Sequence, residues 1–478
     1  MHWNKLFSIL TVSVVASLIT GCTPTETPKP TPTFRAGDDC STLGTQIEFG
    51  DMNFECRYSD QQKLHLVALK GDNSAPKDAI NLSPLDICKI QDIRESNIQG
   101  GANTGQATSF PLINNRIPVS GNIRVCVIPI DFENAPSDQS VTELMSDHLK
   151  QFDEWMDFTT NGLAKYEWVM SDNWIRMPLP AEYYNWDHPY VNPDGTYRYG
   201  DAQLQSDDEM ATQVFSMAEQ YYDLDSLDYI WVVAPPKTNQ VQWAPQGSPR
   251  QVSTPSGTRT LNYFGLGYKL WNDQASRIPV WAIMSHEMLH AHGLAQHAPG
   301  NGYSLHIGGS GTILGAWDSL LLGWRSEESF ACFDATTSNE TEIDLASIDL
   351  ESNGYKAAVI KLSDHEVIVI ESRRQGPYST NISPGTAGVI AYVVDSSKPS
   401  LRFDNDFSRE KEYFSYFLSI NQPHKNPINF GNAFIAQSSE PINMTTDRVA
   451  LIGDTFSYGG VNISLTQSAD YDTITISK

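Results

Sequence analysis

Residues 281–300 read WAIMSHEMLHAHGLAQHAPG, and within them His286, Glu287 and His290 stand in the order His-Glu-x-x-His. Positions i and i+4 share one face of a helix, so His286 and His290 can present imidazole nitrogens to a single cation. Glu287 falls about 100° round from His286, which puts it beside such a cation rather than on it. There its carboxylate can take a proton from a water that zinc has acidified. The chemistry expected of this spacing is attack of an activated water on an amide carbonyl.

Two imidazoles leave a zinc ion short of protein ligands. Gly293 can adopt the left-handed conformation that ends a helix and turns the chain back, which would return a third donor to the cation. His292 lies about 200° round the helix from His290, so it is expected to face away and pack. His297, four residues past Gly293, lies on the returning stretch and is the expected third ligand. His306, on the loop that follows, is held in reserve. Tyr303 or His306 could donate to the oxyanion of a tetrahedral intermediate. Pro279 suits a first helical position, and Val280, Trp281, Ala282, Ile283 and Met284 make the start of the helix apolar all round, as a buried helix requires.

These residues carry a family resemblance. HEMLHAHGLAQH resembles the metzincin motif HExxHxxGxxH, except that the third histidine follows the glycine by four residues and Gln296 stands in its usual place. It is more closely similar to the M6 peptidases, the immune inhibitor A group, whose HExxHxxGxxDE motif has acidic residues where Gln296 and His297 stand here. GAWDSLLLGW, at residues 315–324, is similar to the AW-x-x-x-x-LGW stretch that follows the motif in that group. VIVIESRR, at residues 367–374, and the C-terminal GDTFSYGGVNISLTQSADYDTITIS also resemble M6-like segments. One feature departs: the candidate turn at residues 303–309 has Ile307 where metzincins carry a methionine, and no Met occurs between Met288 and Met444. The resemblance implies a zinc endopeptidase acting on proteins or peptides, with an α/β (α+β) metzincin-like catalytic domain followed by an all-β sandwich.

The elements that must position these residues follow in order. Residues 123–132, IRVCVIPIDF, form a strand apolar on both faces, as inside a covered sheet. Ser140 with Glu143 makes a capping box, followed by a stripe of Val141, Leu144, Met145, Leu149, Phe152 and Met156. A strand is expected over 166–177. A second capping box, Ser206 with Glu209, opens a helix carrying Met210, Val214, Met217 and Tyr221. Strands are expected at 228–234 and at 262–268, the latter as a sheet edge to which a substrate peptide could add by backbone hydrogen bonds. Strands alternating with helices imply an α/β layer. After Trp324 the pattern changes to short β runs at 355–362, 366–371, 388–395, 461–467 and 472–477, which read as a sandwich bracing the catalytic domain. The loop from Trp186 to Asp201 could hold Ca2+ through Asp194 and Asp201, but without regular oxygen spacing it reads more readily as a solvated aromatic loop.

The N-terminus reads as an address. Lys5, a short apolar run over 6–20 and the sequence LITGC ending at Cys22 resemble a bacterial lipobox, implying cleavage before Cys22 and lipid on its thiol. A Thr/Pro-rich tether over 22–36 would hold the protein in the cell envelope outside the cytoplasm, at the outer membrane or surface. Residues 37–117, with a strand expected at 64–69, read as an N-terminal region that could be a prosegment, 118–334 as catalytic and 335–478 as the sandwich. A formal net charge of −25 repels phosphate backbones and argues against a nucleic-acid partner. The six cysteines are expected as a lipidated Cys22, disulfides Cys40–Cys56 and Cys88–Cys126, and a free buried Cys332. The competing function is a non-catalytic zinc-containing surface lipoprotein that binds or adheres. Glu287 weighs against it, because structural zinc does not need that carboxylate.

Overall fold

The computed structural model describes residues 81–92, 107–112, 116–184, 205–236, 247–267, 279–294, 313–379, 388–398, 453–468 and 471–478, together with strands at 46–49, 52–58, 64–69, 190–191, 197–198 and 415–417 and a few single residues. Cys22, Cys40, Asp194, Asp201, His297, Tyr303, His306 and Ile307 lie outside the described residues, as do the signal and tether segments. Strands β1 (Gln46–Phe49), β2 (Met52–Tyr58) and β3 (Leu64–Leu69) form an antiparallel sheet of their own.

Strand β4 (Gly121–Asp131) sets the layering of the α/β half, because its alternate side chains enter two different cores. Ile123, Val125 and Val127 pack with Met145, Leu149, Phe152 and Met156 of α1 (Val141–Thr160). Cys126, Ile128 and Ile130 instead join Met210, Val214 and Phe215 of α2 (Asp207–Ala218). The expected capping boxes are both present: Ser140 with Glu143 on α1 and Ser206 with Glu209 on α2. Tyr221, expected on the second helical stripe, lies past the end of α2 and is 61% exposed.

The strand expected over 166–177 is two pieces, β5 (Ala164–Met170) and the two-residue β6 (Ile175–Arg176). Polar residues divide them: Asp172 turns away to accept the Thr142 amide at the start of α1. After the small hairpin of β7 (Tyr190–Val191) and β8 (Tyr197–Arg198) come β9 (Tyr229–Val233), β10 (Gly247–Thr254) and β11 (Gly257–Leu266). The sheet order is β10-β11-β9-β4-β5, with β11, β9, β4 and β5 parallel to their neighbours and β10 antiparallel to β11. This corrects the expected edge at 262–268 only at its start: β10 folds back and pairs with β11 as far as Tyr263, and Phe264–Leu266 run past the described end of β10. The exposed edge is β10, whose pairing is irregular between Gly247 and Arg250. The strand at 228–234 read as buried is β9, buried at every position.

Helix α3 (Val280–Ala291) follows the sheet and packs against α1 in the first core, and the short α4 (Ala316–Leu321) lies between this half and the β-rich half. The latter has two sheets. One has the order β12 (Phe330–Asp334), β14 (Ala357–Lys361), β15 (Glu366–Arg373), β16 (Gly388–Asp395), β17 (Ser415–Phe417). The other has β13 (Glu340–Leu345), β20 (Asp472–Ser477), β19 (Val461–Ser468), β18 (Thr455–Tyr458). Ile343, Ile368, Ile370, Val393, Ile463 and Ile474 fill the space between them. The opposite face of the five-stranded sheet, through Val359, Val367, Val369, Ile390 and Tyr392, is covered by Ile313, Trp317 and Leu320 and by Cys88 and Ile90. Covered on both sides, β15 and β16 are buried almost throughout. The molecule is thus mixed α/β, with few helices and several sheets.

The cysteine pairing differs from expectation. Cys88 is bonded to Cys332 on β12, 244 residues away, and Cys126 is the buried free thiol. Cys126 points into the α2 side of the central sheet, whereas Cys88 and Cys332 share the core beneath the five-stranded sheet. Apolar surroundings push the Cys126 thiol up to about 12, so it stays protonated and inert. Among the described residues, no helix is long and apolar enough to cross a membrane.

Candidate metal centre

Helix α3 is held on nearly every side by the first core, as its apolar start predicts: Ala282, Ile283, Met284, Met288 and Leu289 are all buried. Pro279 stands one position earlier than expected, as the N-cap, and the helix begins at Val280. At the other end His292 keeps a right-handed conformation and Gly293 takes φ 110°, a value that favours glycine. The Gly293 and Leu294 amides donate back to the His290 and Leu289 carbonyls, closing the helix and reversing the chain there.

The two histidines of the motif are brought together. Both are buried, and their rings lie 5.0 Å apart between centroids at 87° to one another. His290 Nδ1 is 3.3 Å from the Leu294 carbonyl oxygen. A carbonyl only accepts, so this contact places the His290 proton on Nδ1 and the lone pair on Nε2, the tautomer that metal ligation uses. The donor set and this tautomer fit a zinc ion. Among the described residues no third His, Cys, Asp or Glu joins the pair in a metal-binding group. The expected third ligand His297, its reserve His306 and the oxyanion donor Tyr303 all fall in 295–312, outside the described residues.

Glu287 lies one residue round, between the buried His286 and Met288, with its carboxyl shielded from solvent. Burial pushes its carboxyl up to about 8, and the positive charge of Arg116 opposes that rise. The same surroundings lower the Arg116 guanidinium from its ordinary value, and Glu287 and Tyr229 counter that. Arg116 was missed in the sequence, where it is one cation in a short polar stretch with no spacing that ties it to the motif. Its place becomes visible only because its own amide donates to the Ala291 carbonyl at 2.8 Å.

His292 packs, as its helical angle predicts. It is fully buried, its Nε2 lies 2.9 Å from the Tyr166 hydroxyl, and its ring meets Trp324 edge-on at 5.1 Å. Burial lowers it to about 3, so it is neutral at ordinary pH. Compared with known proteins, the chain matches no protein-family model and no curated protein.

Proposed function

We propose that this chain is a zinc-dependent endopeptidase, a hydrolase of protein or peptide amide bonds, tethered by a lipid on Cys22 in the cell envelope outside the cytoplasm. The observation that carries the proposal is the pair of buried imidazoles on one face of α3, with His290 held in the ligating tautomer and Glu287 beside them. The sequence resemblance to M6 peptidases points the same way. Zinc held by His286, His290 and His297 would supply Lewis acidity, polarising the scissile carbonyl and lowering the pKa of water at the site. Glu287 accepts the proton of the attacking water at a carboxylate oxygen and then delivers it to the departing amine nitrogen. The first of these steps needs the ionised carboxylate, which burial disfavours; Arg116 opposes that effect, and the charge of a bound zinc would oppose it further.

The test measures zinc per mole and cleavage of an unfolded protein by the wild type and by Glu287→Gln. Normal zinc with cleavage lowered by about two to four orders of magnitude is expected of the variant. Equal cleavage by both proteins would eliminate the mechanism, and a zinc-loaded wild type that cleaves nothing would leave a surface binding module. In the same series His297→Ala is expected to lose zinc, and full retention would move the third ligand to His306.

A further inference from the structure

Residues 107–112 and 116–117 meet the last turn of α3 and the chain just past it. The Ala107 amide donates to the Gly293 carbonyl at 3.0 Å, and the Arg116 and Ile117 amides donate to the Ala291 carbonyl at 2.8 and 3.3 Å. These carbonyls belong to a helix end, where intrahelical donors run out. Leu294, whose own carbonyl holds His290 Nδ1, forms a parallel bridge with Ala107. This strap therefore lies against the residue whose backbone oxygen faces His290 Nδ1.

The strap is itself held from the β-rich half. Trp317 Nε1 donates to the Thr108 carbonyl at 2.9 Å, and the Phe110 ring stands edge-on to Trp317 at 5.6 Å. The Asp92 carboxylate accepts from both the amide and the hydroxyl of Thr108 at 3.2 Å. The Asp92 amide donates to the Phe110 carbonyl and the Phe110 amide to the Ile90 carbonyl, at 2.8 and 3.1 Å. Close by in the chain, Cys88 is bonded to Cys332 on β12. A continuous run of short contacts leads from the sandwich sheet to His290.

We propose that Asp92 and Trp317 are positioning residues for the metal centre, holding the 107–110 strap against the end of α3 so that the Leu294 carbonyl fixes the orientation and tautomer of His290. This rests on the zinc reading above. Neither residue touches substrate or metal; both act through backbone. Outer partners of ligating histidines act on metal affinity by about 10- to 100-fold, and this is the effect expected here.

The experiment uses the full chain as wild type, Asp92→Ala, Trp317→Phe and Tyr184→Phe. Asp92→Ala removes the acceptor of both Thr108 bonds. Trp317→Phe keeps an aromatic ring beside Phe110 and deletes the N–H to Thr108. Tyr184→Phe is the structural control, since it removes a buried hydroxyl bonded to Gln213 at 2.6 Å on the opposite side of the sheet. Zinc affinity is read by competition with a chromophoric chelator, and zinc-free thermal unfolding is followed alongside. Asp92→Ala and Trp317→Phe are expected to bind zinc about 10- to 100-fold more weakly, while Tyr184→Phe lowers the unfolding midpoint and leaves zinc affinity unchanged. Wild-type affinity in both strap variants, or the same loss in the control, overturns the proposal. If Trp317→Phe does not fold, Asp92→Ala decides alone. A wild type that takes up no zinc sinks the zinc reading itself, an outcome separate from variants that match a zinc-binding wild type.

Discussion

At the scale of single residues, the chemistry-bearing trio was legible because its geometry is local. An i, i+4 pair needs only a helix to meet, and the apolar run from Val280 guaranteed a buried one. Residues that act across long sequence distances left no such trace: Arg116 reaches the site from before the first long strand. Asp153 is another, and it yields a prediction that does not involve the metal centre. Its carboxylate on α1 accepts the Trp168 Nε1–H at 3.0 Å, yet burial raises it from an ordinary 3.8 to about 6, against the effect of that hydrogen bond. Between those values the folded state keeps a proton that the unfolded chain has released. The stability this supplies is present below about pH 4 and is lost as pH rises through 6. The substitution Asp153→Asn keeps an acceptor for Trp168 and leaves no charge to bury. With partial solvent screening, Asp153→Asn is expected to be on the order of 1 kcal/mol more stable than wild type at pH 7.5 and equal to it near pH 4. Urea unfolding at the two pH values checks this, and a pH-independent difference would reject it.

At the scale of elements, capping signals read more accurately than pairing signals. Ser140 and Ser206 each stand at the helix start that their partner glutamates three residues on predicted, because a capping box is satisfied within four residues. Ser140→Ala removes the acceptor for the Glu143 amide at 3.1 Å and is expected to destabilise the protein by about 1 kcal/mol, with the urea slope unchanged. A loss indistinguishable from zero would mean that tertiary packing alone fixes the start of α1. Sheet position is a different kind of property. Residues 262–268 have the alternation of a half-covered strand, but whether another strand lies outside them depends on residues 247–254, a polar run that does not itself read as a strand. The same holds for the cysteines. Pairing Cys88 with Cys126 was the shorter closure, but β4 carries Cys126 to the far side of the central sheet, and only the fold brings Cys88 to β12.

At the scale of the whole molecule, the texture of the sequence changes after Trp324 and the expected boundary falls at 334, but the packing does not divide there. Leu321, Leu322 and Trp324 belong to the core of the α/β half, while Ile313, Ala316, Trp317 and Leu320 belong to the core beneath the five-stranded sheet. Helix α4 and its flanks are therefore shared, and no periodicity in ten residues could have announced two different covers. Polar contacts reinforce the junction. The Ala316 amide donates to the buried Glu371 carboxylate at 2.7 Å and the Trp317 amide to the Tyr392 hydroxyl at 3.2 Å. Arg373, also buried, bridges Glu371 and Asp349. A chain ending at Asp334 would expose Ile313, Trp317 and Leu320 and leave the α4 amides without these acceptors. At roughly 1.5–3 kcal/mol for each large side chain returned to water, this is comparable with the whole stability of a typical domain, about 5–15 kcal/mol. Such a truncated chain is expected to aggregate or to lose cooperative thermal unfolding, whereas the full chain melts in one transition spanning both halves. A soluble truncated protein with an undiminished unfolding midpoint would show instead that the α/β half is autonomous and that the sandwich is an appendage.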